Sequence, residues 1–173
     1  MSAVLERVAK ILVPVDGSDL SMRAAFAALE LARRYNDSPP IGSGTIKGLT
    51  HPSVEVTALY VVDIGPKFEN FAKYGFDFAA AEKGAIQHAR TVTEGWFAKI
   101  GEKASAYNLV FRSEVTDNSQ SSIVGAIIEY AEREHVDVIV VGSKGQSAFT
   151  TLLIGSVSSG VVTYAPCTVI VVR

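Results

Sequence analysis

The sequence predicts an α/β fold: a mostly parallel sheet with helices on both faces. Three observations predict it. Short apolar, β-branched runs alternate with helical stretches from one end of the chain to the other. Several of those runs are almost continuously apolar, as strands covered on both faces are. No internal repeat or low-complexity block interrupts the alternation. A length of 173 residues suits one domain over 1–173, large enough to bury a real core.

The elements follow in order. Residues 11–15 (ILVPV) form a short buried strand ended by Asp16-Gly17. Ser18 or Asp19 can cap the next helix, where Met22, Ala25, Phe26, Leu29 and Ala32 follow helical spacing. Arg33 and Arg34 fall in its last turn, where cations suit the helix dipole. Residues 36–53 (NDSPPIGSGTIKGLTHPS) are rich in Gly, Pro and Ser and read as a loop insertion, long for a connection inside a domain. A plain linker explains this composition more simply than a functional lid.

Residues 54–62 (VEVTALYVV) form a second strand, closed by Asp63-Ile64-Gly65-Pro66. A helical pattern covers about 76–107, with Gly84, Gly95 and Gly101 arguing against continuity. Phe68, Phe71, Tyr74, Phe76 and Phe78 precede or open it. They read as core or dimer surface ahead of a ligand flap. Residues 109–115 form an alternating strand broken by Thr116-Asp117-Asn118. An amphipathic helix spans 122–134, with Ile123, Ala126, Ile127 and Tyr130 on one side. Strand 136–141 is almost wholly apolar and therefore central; a helix over 155–163, stopped by Pro166, leads to a last strand at 168–172.

Charge and cysteine usage exclude several function classes. The net charge is −2 and no Lys/Arg run is visible, so neither a nucleic acid nor a membrane surface is an expected partner. Cys167 is the single cysteine. It permits no intramolecular disulfide and no thiolate zinc cluster, fits a reducing compartment, and reads as a buried filler residue. The opening MSAVLERVAKILVPVDGS has no long apolar stretch of the export type. The expected location is the cytoplasm.

The chemistry concentrates in 138–157, VIVVGSKGQSAFTTLLIGSV. A buried strand ends at Gly142, Gly145 follows, and Gly155-Ser156 opens the next helix: a G-x2-G-x9-G-S spacing. Glycines there let backbone N–H groups approach an anion, and a helix start adds unpaired amides and partial positive charge. The hydroxyls of Ser143, Ser156 and Ser158 can add bonds to phosphate oxygens, and Lys144 can neutralise charge. This is not a P-loop, because no G-x4-G-K-[ST] occurs, and no G-x-G-x-x-G follows the first strand. At the other candidate turn, Asp16 is an acceptor-only carboxylate suited to ribose hydroxyls, and equally suited to capping the first helix. Pro14 and Val15 offer surface for a purine edge. If the strands ending at these two turns are neighbours, both turns open into one crevice.

Four segments resemble the nucleotide-binding kind of the universal stress protein family: VPVDGSDLSMRA from Val13, LYVVD from Leu59, GSKG…GSVS from Gly142, and PCTVIVVR from Pro166. The resemblance spans the chain apart from the insert. It implies a Rossmann-like fold of the adenine nucleotide alpha hydrolase type, an open five-stranded parallel sheet of order 3-2-1-4-5. It implies ATP or another adenine nucleotide as ligand. Pro14, Val15 and Asp16 would meet adenine and ribose, with Val61 packing on adenine. Val141, Gly142, Ser143 and Gly145 would hold ribose and phosphate; Gly155, Ser156, Val157 and Ser158 would hold the phosphates. Mg or Mn would be held by those phosphates and not by protein ligands, and a homodimer would form through 168–172. Lys144 and Gln146 stand where the family's basic residues vary, and the insert is longer than usual. The expected role is regulatory, in a stress response, the nucleotide biasing dimer or partner contacts. His51, His88 and His135 lie in none of these motifs, so catalytic residues are not expected and hydrolysis should be slow or absent.

Overall fold

The computed structural model describes residues 8–37, 53–64, 78–118, 121–144 and 154–173. Five strands and four helices alternate: β1 (Lys10–Pro14), α1 (Asp19–Asp37), β2 (Glu55–Val62), α2 (Phe78–Ala106), β3 (Val110–Asp117), α3 (Ile123–Arg133), β4 (Val138–Gly142), α4 (Ser156–Tyr164) and β5 (Thr168–Val172). The strands form one parallel sheet of order β3-β2-β1-β4-β5. The expected fold class is therefore observed, and each predicted element lies within two residues of its place.

The residues of β1 explain its central position. Ile11 and Val13 point to one face, where they meet Ala24, Ala28 and Leu29 of α1 and Ile100 and Ala104 of α2. Leu12 points to the other, against Ile127 and Ala131 of α3 and Val161 of α4. A strand covered on both sides needs an unbroken apolar run, which is what β1 and β4 carry. Val138 and Val140 serve the first cluster and Ile139 the second. At the amino end of these strands, Asp137 Oδ2 accepts from the backbone N–H groups of Ala9 (2.8 Å) and Lys10 (2.9 Å).

Two expectations need correction. Phe26 is not part of the buried stripe of α1: it is 37% exposed, and the buried positions are Ser21, Ala24, Ala25, Ala28, Leu29 and Ala32. Small residues let α1 lie close on the sheet, and Phe26 falls about 100° round the helix from Ala25. Nor do the three glycines interrupt α2, which runs unbroken over Phe78–Ala106. Buried Thr93, Ile100 and Ala104 anchor the helix, and tertiary packing overrides the propensity deficit. Cys167 is half-buried and packs against the α3 and α4 cluster; burial raises its thiol pKa, so it makes a poor nucleophile. Of the early aromatics, Phe68, Phe71, Tyr74 and Phe76 lie outside the described residues.

The base of the insertion is closed by a side chain, Asn36 Oδ1 accepting from Val54 N–H at 3.0 Å. Beyond β2 and β3, Asn118 is buried and joins the two strand ends. Its Oδ1 accepts from Ile64 N–H (2.8 Å), and its Nδ2 donates to Asp63 Oδ1 (2.9 Å). Loss of a buried amide of this kind typically costs about 1–3 kcal/mol. Asn118→Ala should lower the unfolding free energy by that amount, read as a shift of the urea midpoint with an unchanged slope. Gly84 and Gly95, by contrast, face open space, where a Cβ would touch nothing. Gly84→Ala and Gly95→Ala should each stabilise by about 0.5–1 kcal/mol, raising the melting temperature.

Candidate functional site

The order of the sheet reverses between β1 and β4, which are paired neighbours (Ile11 opposite Val138, Leu12 opposite Ile139). Helices leave such a pair toward opposite faces, and a crevice opens at the carboxyl ends of the strands. The turn after β1 and the turn after β4 share that crevice. The sequence placed Pro14, Val15 and Asp16 on its first wall and Val141, Gly142 and Ser143 on its second. The structure brings both sets together.

The first wall is built by short-range bonds. Val15 is buried, and its N–H donates to Leu59 O at 2.8 Å, prolonging the β1–β2 ladder by one residue. Asp16 Oδ1 accepts from Ser18 N–H (3.0 Å) and Ser18 Oγ–H (2.6 Å), an Asx turn. Ser18 Oγ in turn accepts from Ser21 N–H (3.2 Å), so Ser18 is the N-cap of α1. Ser21 Oγ receives Asp16 N–H (3.3 Å) and donates to Ser18 O (2.9 Å). The two readings of Asp16 therefore merge: the carboxylate braces the capping serine and stays half-buried at the crevice. Gly17 between them has φ +78°, the left-handed region that glycine enters without strain.

The second wall rests on Gly142. A Cβ there would lie 2.8 Å from the backbone carbon and oxygen of Leu20 and 3.0 Å from Ser21 N. No side chain fits, so the bare α-carbon at the end of β4 lets the first turn of α1 press against it. Gly142 O accepts from the buried Ser158 Oγ–H at 2.6 Å. That hydroxyl, expected to face phosphate, donates instead to the strand end and fixes the start of α4. Ser143 is buried; its N–H donates to Val172 O (2.7 Å), and its carbonyl accepts from Gly155 N–H (2.8 Å).

Gly155 is the N-cap of α4 in an extended conformation, φ −63° and ψ 157°, with no side chain to accept from the first turn. Elsewhere Ser18 closes the start of α1, and Ser122 Oγ accepts from Gly125 N–H at 3.0 Å at the start of α3. The opening amides of α4 belong to exposed Ser156, half-buried Val157 and buried Ser158. They present partial positive charge at the crevice, the arrangement that receives an anion.

Val61, the residue assigned to adenine, sits near the end of β2 and is 8% exposed, packed with Ala126 and Ile127 of α3. Gly145 lies outside the described residues, as does His51. Among the described histidines, His88 is exposed on α2, and His135 stands at the amino end of β4 with φ 53°, away from the crevice. Among the described residues no group of three His, Cys, Asp or Glu side chains could hold a metal ion. Sequence reasoning missed the Ser18–Ser21 relay: Ser18 was readable as a cap candidate, but Ser21 stands where the capping-box signal has Glu or Gln. It also missed Trp96 of α2, which lies against Gly17 and has no local signal at all.

Comparison with known proteins accords with this geometry. The profile of the universal stress protein family matches residues 49–173. A universal stress protein of Methanocaldococcus jannaschii is 28% identical over 169 residues, covering 95% of this chain and 81% of that protein. Among solved structures, the universal stress protein UspA from Lactobacillus plantarum superposes with a TM-score of 0.68 at 25% identity, covering 96% of this chain and 99% of that one. A universal stress protein in complex with cAMP gives 0.60 at 18% identity, covering 95% and 97%. A family member from Arabidopsis thaliana with AMP bound gives 0.54 at 20%, covering 94% and 90%. The last two likenesses speak to the fold. The family profile covers well over half the chain, including β2 to β5 and the positions of Gly142, Gly145 and Gly155: the chain belongs to the universal stress protein family.

Proposed function

We propose that this chain binds an adenine nucleotide, ATP among them, in the crevice between β1 and β4, and uses its occupancy as a regulatory signal in a stress response. One observation carries the reading. A helix start without a side-chain cap, at Gly155, stands across a switch-point crevice from a carboxylate braced at the end of β1. The first suits phosphates and the second suits ribose hydroxyls. Family members solved with cAMP and with AMP support an adenine base.

On this reading Asp16 meets the ribose, while Pro14, Val15 and Val61 border the base. Val141, Gly142 and Ser143, with Gly145 from the sequence spacing, follow the ribose and first phosphate. The amides of Ser156, Val157 and Ser158 hold the remaining phosphates, Gly155 keeping the approach clear. Mg or Mn would ride on the phosphates. The whole chain, 1–173, acts as one domain with its insertion at 36–53, in the reducing cytoplasm that its single cysteine suits.

The regulatory half of the proposal draws on β5. This strand is an edge of the sheet, with Ile170 exposed on it and Val162 and Tyr164 exposed on α4 beside it. An open apolar edge is a template for pairing with a second copy. The Ser143 peptide touches both this strand, through Val172 O, and the N-cap of α4. A ligand that shifts Ser143 therefore biases the edge that a homodimer through Thr168–Val172 would use.

Two outcomes are expected. Gly155→Val keeps an ordinary backbone conformation at φ −63° and should fold normally. Its branched side chain blocks the amides, so titration calorimetry should show ATP affinity down by about tenfold or more; unchanged binding would refute the site. In single-turnover assays with magnesium, phosphate release should stay far below the ~1 s⁻¹ at which ordinary enzymes begin. Release at or above that rate would make a Mg-dependent ATPase the better description.

A further inference from the structure

Trp96 is the chain's one tryptophan. It lies on α2, a helix that supplies none of the residues assigned to the crevice. α2 reaches the core through Ile100 and Ala104, with Phe97 packed against them. Trp96 turns elsewhere. Its ring meets Tyr60 of β2 edge-on, with centroids 5.8 Å apart and planes at 71°, a favourable aromatic geometry. The far edge of the indole lies over Gly17, and a Cβ on Gly17 would collide with the ring atoms Cζ2, Cε2 and Cη2. Gly17 thus answers two demands at once: a left-handed φ of +78° and a bed for the indole.

The position matters because Gly17 is the middle of the Asx turn. Asp16 on one side bonds Ser18 on the other, and Ser18 caps α1. A bare, left-handed residue is the most mobile link a turn can have, since glycine alone enters that region and its mirror freely. A large rigid ring seated on it removes that freedom. The orientation of the Asp16 carboxylate is then set partly from α2, through Trp96.

We infer that Trp96 is a positioning residue of the nucleotide site: by packing on Gly17 it fixes the turn that aims Asp16 at the ribose. The inference rests on the nucleotide reading of the crevice. It makes α2 a responsive element, because a ligand that pulls on Asp16 also pulls on the surface under the indole.

The test uses the full chain, with ATP and AMP as probes. In the unmutated protein, tryptophan emission should change saturably, with a midpoint equal to the calorimetric dissociation constant. Trp96→Ala should weaken binding about tenfold while circular dichroism stays native, and Trp96→Phe should stay within about threefold. If alanine does not fold, Trp96→Leu, which keeps apolar bulk without the flat ring, takes its place with the same expected loss. In the Asp16→Ala background the Trp96 substitution should cost almost no further affinity, because the two act as one unit. Emission flat through saturation, native affinity in the Trp96 variant, or penalties that multiply would each overturn the inference while leaving the nucleotide site intact. If the unmutated protein takes up neither ATP nor AMP, the nucleotide reading itself is lost, and the inference with it.

Discussion

The contact between the α-carbon of Gly142 and the backbone of Leu20 governs the geometry of the crevice. It joins the end of β4 to the first turn of α1 at a separation that no side chain could share. Because α1 begins at the turn after β1, this contact holds the two strand ends together above the sheet, where ladder hydrogen bonds no longer act. Everything at the crevice follows from it. Ser18 and Ser21 can close their relay because the start of α1 is pressed in place. Ser158 can reach Gly142 O because that carbonyl is left pointing toward α4. An alanine at 142 would move a whole helix, since the clash is with main chain and not with a flexible side-chain tip.

Three starts of helices are treated in two ways, and the difference is chemical. α1 and α3 each begin behind a serine whose oxygen takes an amide of the first turn. α4 begins behind a glycine that has nothing to offer. A capped start is electrostatically satisfied and finished. An uncapped one keeps its donors for water or for an anion, and the partial charge there is typically worth about 0.3–1 kcal/mol per favourable contact. Ser143 holds this start against the outer strand, so the uncapped start of α4 is tied by hydrogen bonds to the edge strand β5. On the proposed reading, that tie would link ligand binding to association without any moving domain.

Much of this was legible in the chain. Near-continuous apolar runs marked β1 and β4 as interior strands, and the last strand coincides with its sequence bounds at Thr168–Val172. That Pro14, Val15, Asp16 and Gly142 stand at strand ends was readable because the signal is local: a carboxylate in a turn, or an absent side chain after an apolar run. What escaped is what depends on partners distant in sequence. Gly142 was legible as a glycine, but its steric reason lies in Leu20. Trp96 and Gly17 carry no mutual signal, because only the packing of α2 beside β2 makes them meet. Phe26 looked buried because a loose helical count admits it, whereas the alanine-lined approach of α1 leaves no room for a ring. Asn118 looked like a strand breaker, and its amide proves to be a brace between two strand ends.

The bonds from Ala9 and Lys10 to Asp137 carry a consequence for biosynthesis. They span 128 and 127 positions of the chain, and β1 pairs with β4 just beyond them. β1 leaves the ribosome well over a hundred residues ahead of β4, and its flank toward β4 stays unpaired until then. Loop closure of that length precedes the reward of pairing, which makes maturation slow and leaves an apolar ribbon open to strangers in the meantime. Final collapse of the sheet therefore waits on the emergence of β4, whatever the order in which the other strands pair.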